Sequence, residues 1–200
     1  MTIVPLIFTS GWASGINAYA VVLILGLLGR FGGAGTVPPA LERTDVLIAA
    51  AVLFLCEAVA DKVPYLDTVW DAVHTVIRPV AGAVVAALIA SRHPGSLGEL
   101  AAGALGGTTA LVSHLVKASL RMAVNTSPEP ASNIALSVAE DLTVAGLVTL
   151  AVFHPWVAGS VAAGLLLLGL LLVRLAVGRI RRFLARRRER RAPRATAVTA

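Results

Sequence analysis

Residues 1–29, MTIVPLIFTSGWASGINAYAVVLILGLLG, contain no charged side chain, and neither do residues 155–173, PWVAGSVAAGLLLLGLLLV. A hydrocarbon core about 30 Å thick needs roughly 20 largely apolar helical residues to cross it, so each stretch is long enough for one span. The remaining chain has the same balance. Of 200 residues 57% are hydrophobic and only 14% charged, with a mean hydropathy of +0.83. Soluble domains carry about 25% charged residues. This composition excludes a soluble enzyme, a secreted disulfide scaffold and a disordered chain. Cys56 is the only cysteine, so there is no intrachain disulfide and no cysteine-based metal cluster. Ala18-Tyr19-Ala20 mimics a signal-peptide cleavage site. No Lys or Arg precedes it, however, and the apolar run continues through Leu28, so it reads as a retained first span.

Working outward gives six apolar blocks, at about 9–29, 45–60, 74–91, 97–116, 133–153 and 155–175. Gly32–Pro39, Arg92-His93-Pro94-Gly95, Asn125–Pro130 and His154-Pro155 supply turn and breaker signals between blocks. The expected fold is all-α, a polytopic transmembrane helical bundle of about six spans. Residues 1–175 form the transmembrane domain and residues 176–200 an Arg-rich tail. An even number of spans puts both termini on one side. Residues 174–194 hold ten arginines against Glu189 alone, which marks that side as cytoplasmic. On this assignment Lys62, Arg78, Lys117, Arg121 and the tail arginines lie inside, and Arg30, Arg43 and Arg92 outside.

Val80–Ile89 matches Val157–Leu166 at six of ten positions, each copy following a proline, Pro79 or Pro155. Gly11-x-x-x-Gly15 and Gly103-x-x-x-Gly107 stand upstream, and each half carries an acid in its middle span, Glu57 or Glu140. The shared order of glycine pair, acid and proline-started helix suggests a duplication, with repeat one at about 1–92 and repeat two at about 97–175. Three spans per unit require the second copy to insert upside down, the inverted-repeat plan of many transporters.

Three segments carry a family resemblance. The first is Ser14-Gly15-Ile16-Asn17-Ala18-Tyr19. The second is Glu57–Pro64 with Asp67, Trp70, Asp71, His74, Arg78-Pro79 and Gly82. The third is Lys117, Arg121, Asn125, Ser127–Pro130, Asn133, Ser137 and Glu140-Asp141. Together they resemble the bacterial integral membrane family called domain of unknown function 4126, over nearly the whole chain except the tail. The resemblance implies an inner-membrane protein and supplies no reaction.

Glu140 and Asp141 lie about two turns inside the fifth block. A charge there costs roughly 2.5–3.5 kcal/mol on insertion scales, so such groups face a bundle interior or a water-filled cavity. Glu57 sits in the second block with Asp61 at i+4. One reading is an acidic site for a proton or cation; the other is internal ion pairs that fix packing. His114, Lys117, Arg121 and Asn125 recur near helical spacing. Lys117 and Arg121 can face one partner, either an anionic solute or Glu57 and Glu140. The alternative is snorkelling at the positive-inside face. His114 reads as a packed or hydrogen-bonded histidine. Asp67, Asp71, His74 and Arg78 share one helical face. The plainer reading is an interfacial connector with that face in water; the sharper one is a site that holds magnesium and a phosphate. Asn17, with the glycine pair, either packs closely or opens the first helix to a ligand.

The tail, with Leu175, Ile180, Phe183 and Leu184 among its arginines, reads as a membrane-surface helix meeting anionic lipid head groups. Nucleic-acid binding finds no fold signal. No Cys-x-x-Cys, His-Glu-x-x-His, Gly-x-Ser-x-Gly or P-loop spacing occurs, and no cofactor is expected. The leading expectation is a small transporter or permease for an unknown solute or ion, open to homo-oligomer formation. Glu57, Asp61, Glu140 and Asp141 bind the proton or cation, with Lys117, Arg121, Arg78 and Asn17 around them. The rival expectations are an assembly protein and a metal-dependent enzyme acting on lipid phosphates through Asp67, Asp71 and His74.

Overall fold

The computed structural model describes residues 3–93, 98–124 and 130–191. Six α-helices fill most of it: α1 (Ile3–Gly32), α2 (Thr44–Ala60), α3 (Pro64–Ser91), α4 (Glu99–Val124), α5 (Pro130–Phe153) and α6 (Pro155–Arg191). Four of them are long and apolar enough to cross a membrane: α1, α3, α5 and α6. The other two expected spans, α2 with its 17 residues and the more polar α4, form helices but fall outside that group.

Local chemistry sets the boundaries. Gly33 takes a left-handed φ of +64°, which only glycine adopts without a Cβ clash, and the Ala34 N–H returns to the Leu28 carbonyl at 3.3 Å to close α1. Pro39–Glu42 make one 3-10 turn before α2. Asp45 in the first turn of α2 accepts the Val46 N–H and pairs with Arg43 at 2.7 Å. Val63 is extended, as a residue before proline prefers, and Pro64 then starts α3. This helix therefore begins ten residues before the apolar block at 74–91. The His154-Pro155 junction is as tight as expected, with one residue between α5 and α6.

α1 is the hub, packed on α2, α3, α4, α5 and α6. Its seam with α4 is made of backbone. A Cβ on Gly11 would lie 2.7 Å from the Gly106 carbonyl oxygen, and one on Gly15 would strike the Ala110 carbonyl and the Ser113 hydroxyl. Gly82 of α3 meets the same Ala110 and Gly106, and Gly103 and Gly107 of α4 face Ala83 and Pro79 of α3. Both glycine pairs are thus spent on close packing within the chain.

The bundle is inside-out relative to a soluble protein. Leu167, Leu172 and Val52 are 67%, 45% and 54% exposed, while Arg78 and Glu57 are 0% and Arg121 is 1% exposed. In water this arrangement would leave apolar surface wet and strip ions of hydration. In lipid it is the favourable one. α6 runs without a break through residue 191, so the tail up to that point extends the apolar helix instead of forming a separate helix laid on the surface.

Candidate functional site

The site begins at a defect in α1. Asn17 leaves helical geometry, with φ −149° and ψ 95°, and divides the helix in two. Its side chain caps the second half, the Oδ1 accepting the Ala20 N–H at 2.9 Å. Its Nδ2 donates to Asp141 Oδ1 at 3.0 Å. Carbonyls released at the end of the first half are met by cations: Lys117 Nζ donates to the Ile16 oxygen at 2.9 Å, and Arg78 Nη1 lies 3.5 Å from the Gly15 oxygen. The C-terminal end of a helix is equivalent to roughly half a negative charge, so cations belong there. The glycine motif therefore packs closely, and the asparagine two residues beyond it opens the helix.

Around this break three cations meet five carboxylates. Arg78 pairs with Glu57 at 2.7 Å and with Asp71 at 3.0 Å. Lys117 lies 3.1 Å from Asp61, 3.5 Å from Glu140 and 3.8 Å from Glu57. Arg121 reaches Glu140 at 2.6 Å, Asp61 at 3.0 Å and Asp67 at 3.4 Å. Four helices supply these groups: Glu57 from α2, with Asp61 at its C-cap, Asp67, Asp71 and Arg78 from α3, Lys117 and Arg121 from α4, and Glu140 from α5. All but Glu140 are buried, and its side chain is only 15% exposed. Two carboxylate oxygens, Glu57 Oε2 and Asp61 Oδ1, are buried and have no hydrogen-bond partner. The five carboxylates outnumber the three cations, and one cationic donor, Arg78 Nε, is likewise buried without a partner.

Glu57, Asp61, Glu140, Asp141, Lys117, Arg121, Arg78 and Asn17 are thus brought into one neighbourhood. Three expectations change. First, Asp67, Asp71, His74 and Arg78 are buried, so their face of α3 points into the bundle and not into water. The opposite face, with Val69, Val73 and Val76, is the exposed one. Second, Asp67, Asp71 and His74 do not converge as a metal site. Asp67 turns to Arg121, Asp71 to Arg78, and His74 to Tyr19 and the Trp70 carbonyl. Among the described residues no group of three His, Cys, Asp or Glu is arranged to hold a metal ion. Third, Lys117 and Arg121 do not snorkel. They and Arg78 lie inside the bundle, which removes all three from the loop charges that set orientation.

His114 is hydrogen-bonded, as expected, and belongs to the network. Arg78 Nη1 donates to its Nδ1 at 2.6 Å, so Nε2 carries the ring proton and faces the Asp71 carbonyl and Thr75 hydroxyl, each at 3.1 Å. Asn125 lies outside the described residues. Sequence reasoning missed Tyr19, Trp70 and Thr75 as supporting groups. Trp70 stacks on His74 with ring centroids 4.6 Å apart, and its i, i+4 spacing from His74 was the available signal.

Two cavities border the network. One, of about 220 Å³, lies among α1, α4, α5 and α6 and is mostly apolar, with Lys117 and Glu140 in its wall. The other, of about 210 Å³, lies between α3 and α4 and is lined by Asp67, Thr68, Asp71, Thr75 and Arg121 among others. Arg121 faces the second cavity and Glu140 the first, so the pair they form stands between the two.

A helical bundle with membrane-length apolar helices around a buried ion-pair network defines the class of protein. The chain belongs to the family described as Domain of unknown function (DUF4126), which it matches over residues 4–175. No curated protein and no solved structure matches it.

Proposed function

We propose that the protein is a small permease of the bacterial cytoplasmic membrane whose acidic network binds a proton or cation. The observation that carries this reading is the surplus of carboxylate at a broken apolar helix: five acids serve three cations, and two buried carboxylate oxygens go unused. Isolated buried charge is expensive, so such a surplus demands a proton or a cation as its complement. Discontinuous helices whose ends meet charges near the bilayer midplane are the way many transporters build sites. Protonation of Glu140 would release Arg121 to Asp61 and Asp67, and with it the tie between α5 and α4.

Two inverted three-helix repeats would give the bundle its rocking parts. In support, Gly82 of α3 packs on α4 while Gly159, its counterpart in α6, packs on Pro5 of α1. The halves are unequal, since α4 is unbroken where α1 is interrupted. Both termini would be cytoplasmic, an orientation that now rests on Lys62 and the tail arginines, with anionic lipid meeting the tail. The test is ion flux in proteoliposomes. Glu140→Gln should abolish flux while leaving insertion intact, and full flux in that variant would sink the coupling role.

A second reading is favoured by the multiplicity of the pairs, each cation holding at least two acids. In that reading the network locks helices in an assembly protein. Glu57→Gln and Glu140→Gln would then change unfolding temperature, and no ion gradient would discharge through the wild-type protein.

A further inference from the structure

The apolar cavity beside the network has one charged corner. Its wall is built by Trp12, Ile16, Leu136, Leu165, Leu168 and Leu172 among others, and Lys117 and Glu140 supply the ionic groups. Lys117 is already engaged by the Ile16 carbonyl and Asp61 and is flanked by Glu57 and Glu140. An incoming anion would therefore meet a saturated cation and several carboxylates. Glu140 is in the opposite position. If it is withdrawn, Arg121 keeps Asp61 and Asp67, and Lys117 keeps Glu57 and Asp61. Four carboxylates then still face three cations. Glu140 is the acid the network can spare, and it is the one that borders the cavity. Trp12, buried in the same wall, adds an aromatic surface of the kind that attracts cations.

We infer that this cavity binds a monovalent organic cation with an apolar body, its charge on Glu140 in exchange for Arg121 and its body among the leucines and Trp12. This names a solute class for the permease and rests on that reading, yet its test is equilibrium binding and needs no flux. The full-length protein in detergent micelles is titrated with radiolabelled benzyltrimethylammonium. Saturable binding is expected, at least tenfold weaker in Glu140→Gln. Leu136→Trp, which fills the cavity and leaves every charge in place, should weaken binding by a similar factor. Neopentylbenzene, the uncharged isostere, should compete at least tenfold less well than the unlabelled cation. Absence of saturable binding, undiminished binding by either variant, or equal competition by the isostere overturns the inference. Ion flux measured separately in liposomes would then decide whether the permease reading survives without it.

Discussion

Arg121 is held by carboxylates that arrive from three parts of the chain: Asp61 after α2, Asp67 in α3 and Glu140 in α5. Its planar guanidinium spreads five N–H donors over a fixed fork, where an ammonium offers three from a single point. Arg121→Ala leaves two buried acids and the part-buried Glu140 short of a partner and should cost about 3–5 kcal/mol, the range for breaking a buried pair from one side. Arg121→Lys should recover only part of that, as read from unfolding temperature in detergent. Asn17→Ala removes the cap on the second half of α1, worth about 0.5–2 kcal/mol. It also leaves Asp141 without its amide, so the loss should exceed that of the cap alone in the same measurement. At this scale the sequence was informative. Charges in apolar helices are costly enough that Glu57, Asp61, Lys117, Arg121 and Glu140 announce themselves. Their pairing was less legible. The partners lie 19 to 60 residues apart, and spacing along one helix carries no information about that.

Between helices, the stability of the seam rests on missing side chains. Gly15→Leu would drive a side chain into the α4 backbone at Ala110 and should abolish folding or separate α1 from α4. Gly164→Ala in α6 meets nothing within 4 Å. It should be neutral or stabilising by up to about 1 kcal/mol, because alanine is the better helix former. Thermal unfolding of the pair of variants separates packing from propensity. The face of α3 shows why one element was misread. A charged stripe opposite a valine stripe has the same periodicity whether its solvent is water or lipid. The period fixes the angle between the two faces and not which of them points inward. Only the exposed valines, seen together with the buried Asp67, Asp71 and Arg78, decide it.

For the whole molecule, the helical class and the blocks were legible because lipid imposes both a length and an apolar surface. The number of spans was less so, since α2 is short and α4 is made polar by the groups it carries inward. Orientation is open to direct measurement. Reporter fusions at both termini should be accessible from the cytoplasm alone, and replacing Arg174, Arg179, Arg181 and Arg182 by Gln should produce a mixed population. The unbroken α6 has a mechanical consequence. Its 37 residues form a rod of about 55 Å at 1.5 Å per residue, and the hydrocarbon layer accounts for only about 30 Å. Unless the rod tilts steeply, it stands out from the bilayer like a mast. The pull of anionic lipid fades over a screening distance of about 8 Å at physiological salt. Charge carried above that height gains little from the lipid, so the grip on the membrane falls to the arginines near the foot of the mast.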